Sequence, residues 1–156
     1  PGRPDQSLHS DWVPVPLPSN IASNPEVELP IFIATAHFYL EDITEDLGPT
    51  KFIPGSHRAG RPPEDGEIDW NGVEQENVIV NAGDVVMFRS EIWHRGSANS
   101  SDISRHLVQV HYGSRWMAPR MPPYLNQLQF DKDLVAQATQ RQLRLLGDHP
   151  IAGLYT

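Results

Sequence analysis

The stretch IFIATAHFYL at residues 31–40 predicts a β-strand, since most of its positions carry apolar, β-branched or aromatic side chains. Similar segments follow at residues 77–80, 85–88 and 106–112, with Gly, Asn, Asp and Ser frequent in the stretches between them. The 15 prolines among 156 residues favour stiff loops between strands, because proline cannot donate to a sheet ladder. Many short strands with long loops predict a mainly β fold, a double-sheet jelly roll of the cupin type.

One helix is predicted near the C-terminus, over residues 131–146, where apolar side chains recur at helical spacing and Gly147 follows as a stop signal. Its apolar stripe is expected to pack on the barrel rather than to bind a partner. Residues 58–77 are polar and rich in Pro and Gly, so they predict a long surface loop, with a lid over the substrate as the sharper alternative. The whole chain, residues 1–156, is interpreted as a single domain.

The composition excludes several classes of function. A net charge of −8 without any Lys- or Arg-rich run argues against binding to nucleic acid or to an anionic membrane surface. Because cysteine is absent, any metal must be bound by His, Asp or Glu. The absence of cysteine is also compatible with the reducing cytoplasm, which is the expected location. No apolar run reaches the roughly 18–20 residues that a membrane-spanning helix needs.

His9 and Asp11 are separated by one residue in the sequence LHSDW at residues 8–12. On an extended strand this spacing places both side chains on one face, where they can bind a single ion. A lone H-x-D occurs often by chance, but His94 follows the predicted strand at residues 85–88 and adds a second imidazole. Two imidazoles and one carboxylate form a facial triad that suits Fe(II) and leaves coordination positions open. We therefore predict His9, Asp11 and His94 as the metal ligands and the catalytic centre.

Arg105 lies eleven residues after His94, and Gly, Ser and Asn residues occupy much of the interval. This spacing fits a hairpin that returns the chain along a neighbouring strand. A guanidinium beside the metal could then bind a carboxylate through two parallel hydrogen bonds, a geometry that lysine serves less well.

Several motifs occur in a fixed order along the chain. They are the H-x-D at residues 9–11, GPTKFIPGSH at residues 48–57, Gly83-Asp84, WHRG at residues 93–96, Asn99 and Arg105. Together they resemble the phytanoyl-CoA dioxygenase family of Fe(II)/2-oxoglutarate-dependent oxygenases, and GPTKFIPGSH is the most specific of them. The resemblance runs from about Gln6 to the C-terminus, and residues 122–125 and 145–150 resemble members that oxidise secondary metabolites.

The resemblance implies a double-stranded β-helix that holds Fe(II) through the predicted triad and uses 2-oxoglutarate as cosubstrate with O2. Arg105 would pair with the distal carboxylate of 2-oxoglutarate, while Thr50 and Gln6 match residues that assist the cosubstrate in related enzymes. The implied reaction couples oxidative decarboxylation of 2-oxoglutarate, which yields succinate and CO2, to hydroxylation or a related C–H oxidation. Its substrate would be a small organic molecule, and the same resemblance favours a secondary metabolite.

Three features limit or refine this interpretation. Family members carry a sizeable portion before H-x-D, so a native chain that extends beyond Pro1 is expected. In halogenating relatives a small residue replaces the carboxylate, so Asp11 favours oxygen insertion or desaturation over halogenation. Phytanoyl-CoA itself is disfavoured as substrate, because no basic cluster suggests recognition of a CoA phosphate.

Two alternatives remain at the level of sequence. One is a metal-dependent cupin that does not use 2-oxoglutarate, such as an isomerase, which would have no need of Arg105 as a carboxylate clamp. The other is a non-catalytic relative that only binds a ligand or a partner.

Overall fold

The computed structural model describes residues 1–114 and 132–145, and the first of these ranges contains two antiparallel sheets. The chain divides into two compact units, residues 1–118 and 119–156. In chain order the elements are α1 (Ser19–Ala22), β1 (Ile33–Tyr39), β2 (Thr50–Phe52), a 3-10 helix (Ser56–Ala59), β3 (Glu76–Asn77), β4 (Val85–Arg89), β5 (His94–Gly96), β6 (Leu107–Gly113), α2 (Lys132–Gln137) and α3 (Gln140–Leu145). Among the described residues, no helix has the length and hydropathy needed to cross a bilayer.

The first sheet has the strand order β4-β1-β6, so the strand predicted from residues 31–40 lies at its centre. Both neighbours are antiparallel to β1, and Thr35 is paired with Phe88 on one side and with His111 on the other. Thr35, His37 and Tyr39 alternate along β1 on one face and are all buried. A row of polar groups therefore lies inside the fold, facing the second sheet.

The second sheet has the order β3-β2-β5 and faces the first. The ring centroids of Phe52 and Phe88 are 4.7 Å apart across the gap, and the Tyr39 hydroxyl donates to Thr50 Oγ1 at 3.4 Å. Two facing antiparallel sheets are the arrangement predicted from the sequence.

The strand predicted at residues 77–80 is wrong in extent, because β3 ends at Asn77. The Val78 amide still donates to the carbonyl of Thr50 at 2.9 Å, but Val80 instead forms an isolated bridge with Ile43. The apolar segment thus passes from one partner to another and does not continue a single ladder.

Two apolar clusters stabilise the unit on either side of the polar interior. One contains Tyr39, Ile43 and Leu47, and the other contains Ile53, Ala59 and Trp93. Within the second cluster, Trp93 is fully buried and its ring nitrogen donates to the carbonyl of Arg61 at 3.0 Å. Burial of a side chain of this size contributes about 3 kcal/mol to folding.

The long loop predicted at residues 58–77 is held at several points by arginine side chains. The Arg58 guanidinium donates to the carbonyls of Ala22, Asn24 and Val27, and Arg61 forms a two-pronged ion pair with Glu67 at 2.6 and 2.7 Å. These contacts fasten the loop both to the preceding segment and to itself.

The single helix predicted over residues 131–146 is wrong, because the structure has two short helices, α2 and α3, separated at Ala138 and Thr139. The Thr139 hydroxyl accepts from the amide of Gln142, whose side-chain carbonyl accepts from the Thr139 amide at 2.8 Å. This reciprocal capping box starts a new helix and explains the break. Residues 131 and 146, at the predicted ends, lie outside the described part of the chain.

Gly48→Ala is expected to lower the free energy of unfolding by more than Gly72→Ala. Both glycines have positive φ, +76° and +78°, so alanine costs each about 1–2 kcal/mol of backbone strain. A Cβ at Gly48 would lie 2.9 Å from the carbonyl oxygen of Ser97, whereas at Gly72 nothing lies within 4 Å. Overpacking should add about 1–3 kcal/mol at Gly48 alone. Urea denaturation measures the difference, and equal losses in the two variants would contradict this account.

Candidate metal centre

The N-terminal segment reaches the second sheet by pairing with β5. His9 and His94 exchange both backbone hydrogen bonds, with N···O distances of 3.0 and 2.8 Å. The Gln6 amide donates to the Gly96 carbonyl at 2.9 Å, and the Trp12 amide donates to Ser90 at 3.2 Å. Residues directly opposite each other in an antiparallel pair project to the same face, so the two imidazoles converge.

The three predicted ligands meet at one point. Asp11 follows His9 by two residues and shares its face. The potential ligand atoms of His9, Asp11 and His94 all lie within 4.8 Å of one another, and Asp11 Oδ1 is 3.5 Å from His94 Nε2. His94 is buried, while Asp11 is open enough to be reached from outside. The arrangement therefore combines a fixed inner ligand with an accessible outer one.

Backbone carbonyls orient both imidazoles. Nδ1 of His9 lies 2.9 Å from the carbonyl oxygen of Ser7, and Nδ1 of His94 lies 3.0 Å from that of Ile92. A carbonyl only accepts, so each Nδ1 carries a proton, and when the ring is neutral its Nε2 keeps a lone pair for a metal. Phe52 stacks on the His94 ring at 5.5 Å, which limits its rotation further.

The Asp11 carboxyl remains ionised although it is partly buried. Burial raises its pKa, but the hydrogen bond and charge of His94, with the charges of His111 and His9, outweigh burial and hold the pKa below its usual value. Two imidazoles and one carboxylate on a common face are the donor set of the Fe(II) facial triad. The residues present therefore fit the metal.

Arg105 and Gln6 line one cavity of about 540 Å³, together with Gly48 and Gly96. The Arg105 guanidinium donates to the carbonyl of Gly48, and Gln6 Oε1 accepts from the Gly96 amide at 2.8 Å. Thr50 is buried and pairs with Gly96 across the sheet, and its hydroxyl accepts from Tyr39. Arg105 and Gln6, two of the three residues predicted to assist a cosubstrate, thus line the same cavity, whereas Thr50 is buried in the second sheet.

His37 is a buried residue on the inward face of β1, beside Thr35 and Tyr39. Its ring packs edge-on against Phe88 with centroids 4.8 Å apart, and neither ring nitrogen has a hydrogen-bond partner among the described residues. Burial, with the positive charges of His94, Arg105 and His111, lowers its pKa to about 4. His37 is therefore a neutral, buried group in the interior between the two sheets.

Thr35 is the residue of the site that the sequence did not connect with the triad. Its hydroxyl lies 3.4 Å from Asp11 Oδ2 and 2.9 Å from His111 Nδ1. The sequence does offer one signal for Thr35. It alternates with His37 and Tyr39 along the strand, so all three share the inward face of β1. The contact with Asp11 spans 24 residues and cannot be read from local spacing.

Comparison with known proteins gives consistent results. The family model described as Phytanoyl-CoA dioxygenase (PhyH) matches residues 1–107. Fe(II)/2-oxoglutarate-dependent dioxygenase nvfF of Aspergillus novofumigatus is 30% identical over 156 residues, covering 94% of this chain and 45% of the relative. Dioxygenase cdmA of Talaromyces verruculosus is 25% identical over 154 residues, covering 94% of this chain and 46% of the relative. The chain thus spans about half the length of the curated relatives it matches.

Among solved structures, a similar one is the non-heme alpha ketoglutarate dependent carbocyclase SnoK from nogalamycin biosynthesis. It is 25% identical with a TM-score of 0.50, and the match covers 72% of this chain and 44% of that one. This likeness, together with the two facing sheets, confirms the mainly β jelly roll predicted from the sequence.

Acidification is expected to destabilise the protein through His37. Between pH 6.5 and about 4 the unfolded imidazole binds a proton and the folded one does not, so the free energy of unfolding falls as the pH falls through this window. The full shift corresponds to about 3 kcal/mol. In His37→Phe, which keeps a ring in place, this part of the pH dependence should disappear. Urea denaturation at a series of pH values measures it.

His57 has a pKa lowered by burial as well, but it is present in both proteins and cancels in the comparison. Parallel pH profiles for the parent and His37→Phe would show that His37 does not titrate in this way.

Proposed function

This chain belongs to the phytanoyl-CoA dioxygenase (PhyH) family, and from that premise we propose that it acts as the core of an Fe(II)/2-oxoglutarate-dependent oxygenase. His9, Asp11 and His94 would bind the metal, and Arg105 would bind the distal carboxylate of 2-oxoglutarate. The observation that carries the proposal is the convergence of the three ligands on one face, with both Nε2 atoms left free by backbone hydrogen bonds.

Bound Fe(II) with 2-oxoglutarate and O2 would supply the oxidising chemistry, with succinate and CO2 as coproducts. The protein's own contribution is binding, orientation and the exclusion of water. The Arg105 guanidinium can form charge-assisted hydrogen bonds to a carboxylate, and its contact with Gly48 fixes its direction. The rings of Phe52 and Phe88 lie 5.5 and 5.0 Å from that of His94 and give the metal position an apolar wall.

Thr50 and Gln6 have different roles in this proposal. Gln6 lines the cavity beside Arg105 and already holds the Gly96 amide, so it shapes the cosubstrate site. The Thr50 hydroxyl accepts from Tyr39, which leaves its own proton free to donate to a cosubstrate oxygen.

The proposed substrate is a small organic molecule of secondary metabolism. Support comes from the likeness to SnoK, a carbocyclase from nogalamycin biosynthesis. The retained carboxylate of Asp11 favours oxygen insertion, desaturation or ring formation over halogenation, because it occupies the position that a halide would need.

His94→Ala is expected to weaken Fe(II) binding by at least about 100-fold, because loss of a ligand costs more than loss of an outer-shell partner. His106→Ala is the matched control, since His106 is exposed and paired with Glu41 at 2.8 Å. Anaerobic calorimetric titration with Fe(II) measures both. Equal affinity in the two variants would place the metal elsewhere or favour a non-catalytic relative.

Arg105→Ala is expected to raise the 2-oxoglutarate concentration needed for half-saturation of the Fe(II)-loaded protein by about 10- to 100-fold, as expected for a charge-assisted pair. Arg105→Lys should fall between the parent and Arg105→Ala, because lysine keeps the charge but loses the two-pronged geometry. The readout is the weak visible charge-transfer band of the chelate under anaerobic conditions.

Arg61→Lys serves as the control for this titration, since Arg61 pairs with Glu67 in the loop. A parent protein that binds Fe(II) but never develops the band would favour a cupin chemistry without 2-oxoglutarate.

A further inference from the structure

Asp11, Thr35 and His111 form a chain of polar contacts that runs away from the metal position. Asp11 Oδ2 is 3.4 Å from Thr35 Oγ1, which is 2.9 Å from His111 Nδ1. Thr35 and His111 are direct partners on β1 and β6, so the sheet itself fixes their separation. Thr35 is fully buried, so bulk solvent does not reach its hydroxyl.

The two oxygens of Asp11 face different groups. Oδ1 is the atom 3.5 Å from His94 Nε2, on the side where the three ligands converge. Oδ2 is the atom that faces Thr35. One oxygen is thus directed to the metal position, while the other is directed to the protein.

The number of protons available to these three groups gives their hydrogen bonds a direction. A threonine hydroxyl has one proton, and the ionised carboxylate of Asp11 can only accept. If His111 carries a proton on Nδ1, it donates to Thr35 Oγ1, and the hydroxyl proton is free to donate to Asp11. If Nδ1 lacks a proton, Thr35 must donate its only hydroxyl proton to His111. The lone pairs of Thr35 Oγ1 then face those of Asp11 Oδ2 with no proton between the two oxygens. Only the order His111 to Thr35 to Asp11 satisfies all three groups.

We propose that Thr35 and His111 are positioning residues that hold Asp11 Oδ2 and so present Oδ1 alone to the metal. A carboxylate bound through both oxygens would occupy two coordination positions. Bound through one, it leaves three positions open, enough for a chelating cosubstrate and O2. The inference rests on the proposed function, because it assigns a role toward the metal that His9, Asp11 and His94 would bind.

A packing role alone predicts something different. Removing a buried hydroxyl without a role toward the metal would lower the free energy of unfolding but leave metal affinity unchanged once the protein is folded. The test therefore measures Fe(II) affinity by anaerobic calorimetry on the whole chain, with thermal unfolding of every variant alongside it.

Thr35→Val keeps the β-branched shape and removes the hydroxyl, and it should weaken Fe(II) binding by about 10- to 100-fold, the usual effect of losing an outer-shell partner. Thr35→Ser restores the hydroxyl and should bind Fe(II) within about threefold of the parent, a difference of under 1 kcal/mol. Ser90→Ala is the matched control, because the Ser90 hydroxyl is equally buried but directed to the carbonyl of Ile33. Its Fe(II) affinity should equal that of the parent.

A double-mutant cycle tests the direction of the chain. His111→Phe should weaken Fe(II) binding, and combining it with Thr35→Val should cost no more than Thr35→Val alone, because His111 acts on Asp11 only through the Thr35 hydroxyl. If Thr35→Val does not fold, Thr35→Ser and His111→Phe still carry the comparison.

The outcomes separate the two proposals. A parent that binds no Fe(II) overturns the proposed function and this inference together. A parent that binds Fe(II), with Thr35→Val binding equally well, overturns this inference alone, as do fully additive effects in the cycle. Weakened binding in Thr35→Val, recovered in Thr35→Ser, supports it.

Discussion

The pair of backbone hydrogen bonds between His9 and His94 is the constraint on which the site depends. Residues 1–7 are exposed and Leu8 is only partly buried against the Trp93 cluster, so burial alone does not hold the N-terminal segment in place. Its position is fixed by ladder bonds to β5 and to the residues that flank it. This ladder sets the register, and a slip by one residue would turn both His9 and Asp11 to the opposite face. The geometry of the metal centre is thus a property of strand pairing more than of core packing.

The interior between the two sheets is more polar than a core designed for stability alone. Thr35, His37 and Thr50 are all buried there, and His37 has no hydrogen-bond partner among the described residues. Buried polar groups without partners cost free energy, so such a wall is expected where a ligand completes the hydrogen bonding. The apolar clusters around Ile43 and Trp93 offset that cost from either side. Sites of this kind are where local rules are broken and stability is supplied elsewhere.

The sequence predicted the parts of the structure that local spacing controls. The shared face of His9 and Asp11 follows from the period of a strand, and the structure brings the two side chains together. The predicted extent of the strand near Val80 was wrong because Val80 pairs with Ile43, a partner that tertiary structure determines and local sequence does not. The prediction of a single C-terminal helix was wrong for a different reason. The capping sequence from Thr139 to Gln142 indicates a helix start, but the prediction followed the apolar stripe that continues across it.

Charge balance accounts for the charged or neutral state of each polar group in the site. The chain carries a net charge of −8, so a dianionic cosubstrate is repelled at long range and needs a local cation to bind. In the proposed site Arg105 would supply that cation, and the ionised Asp11 would supply a negative charge on the metal side. In the proposed site, Fe(II) would bring two positive charges and 2-oxoglutarate two negative ones, so binding both leaves the net charge of the site unchanged. Either one alone would leave an uncompensated charge in a region of low dielectric constant. A protonated His37 would add a positive charge to this balance, and burial prevents that near neutral pH by lowering the pKa of His37 to about 4.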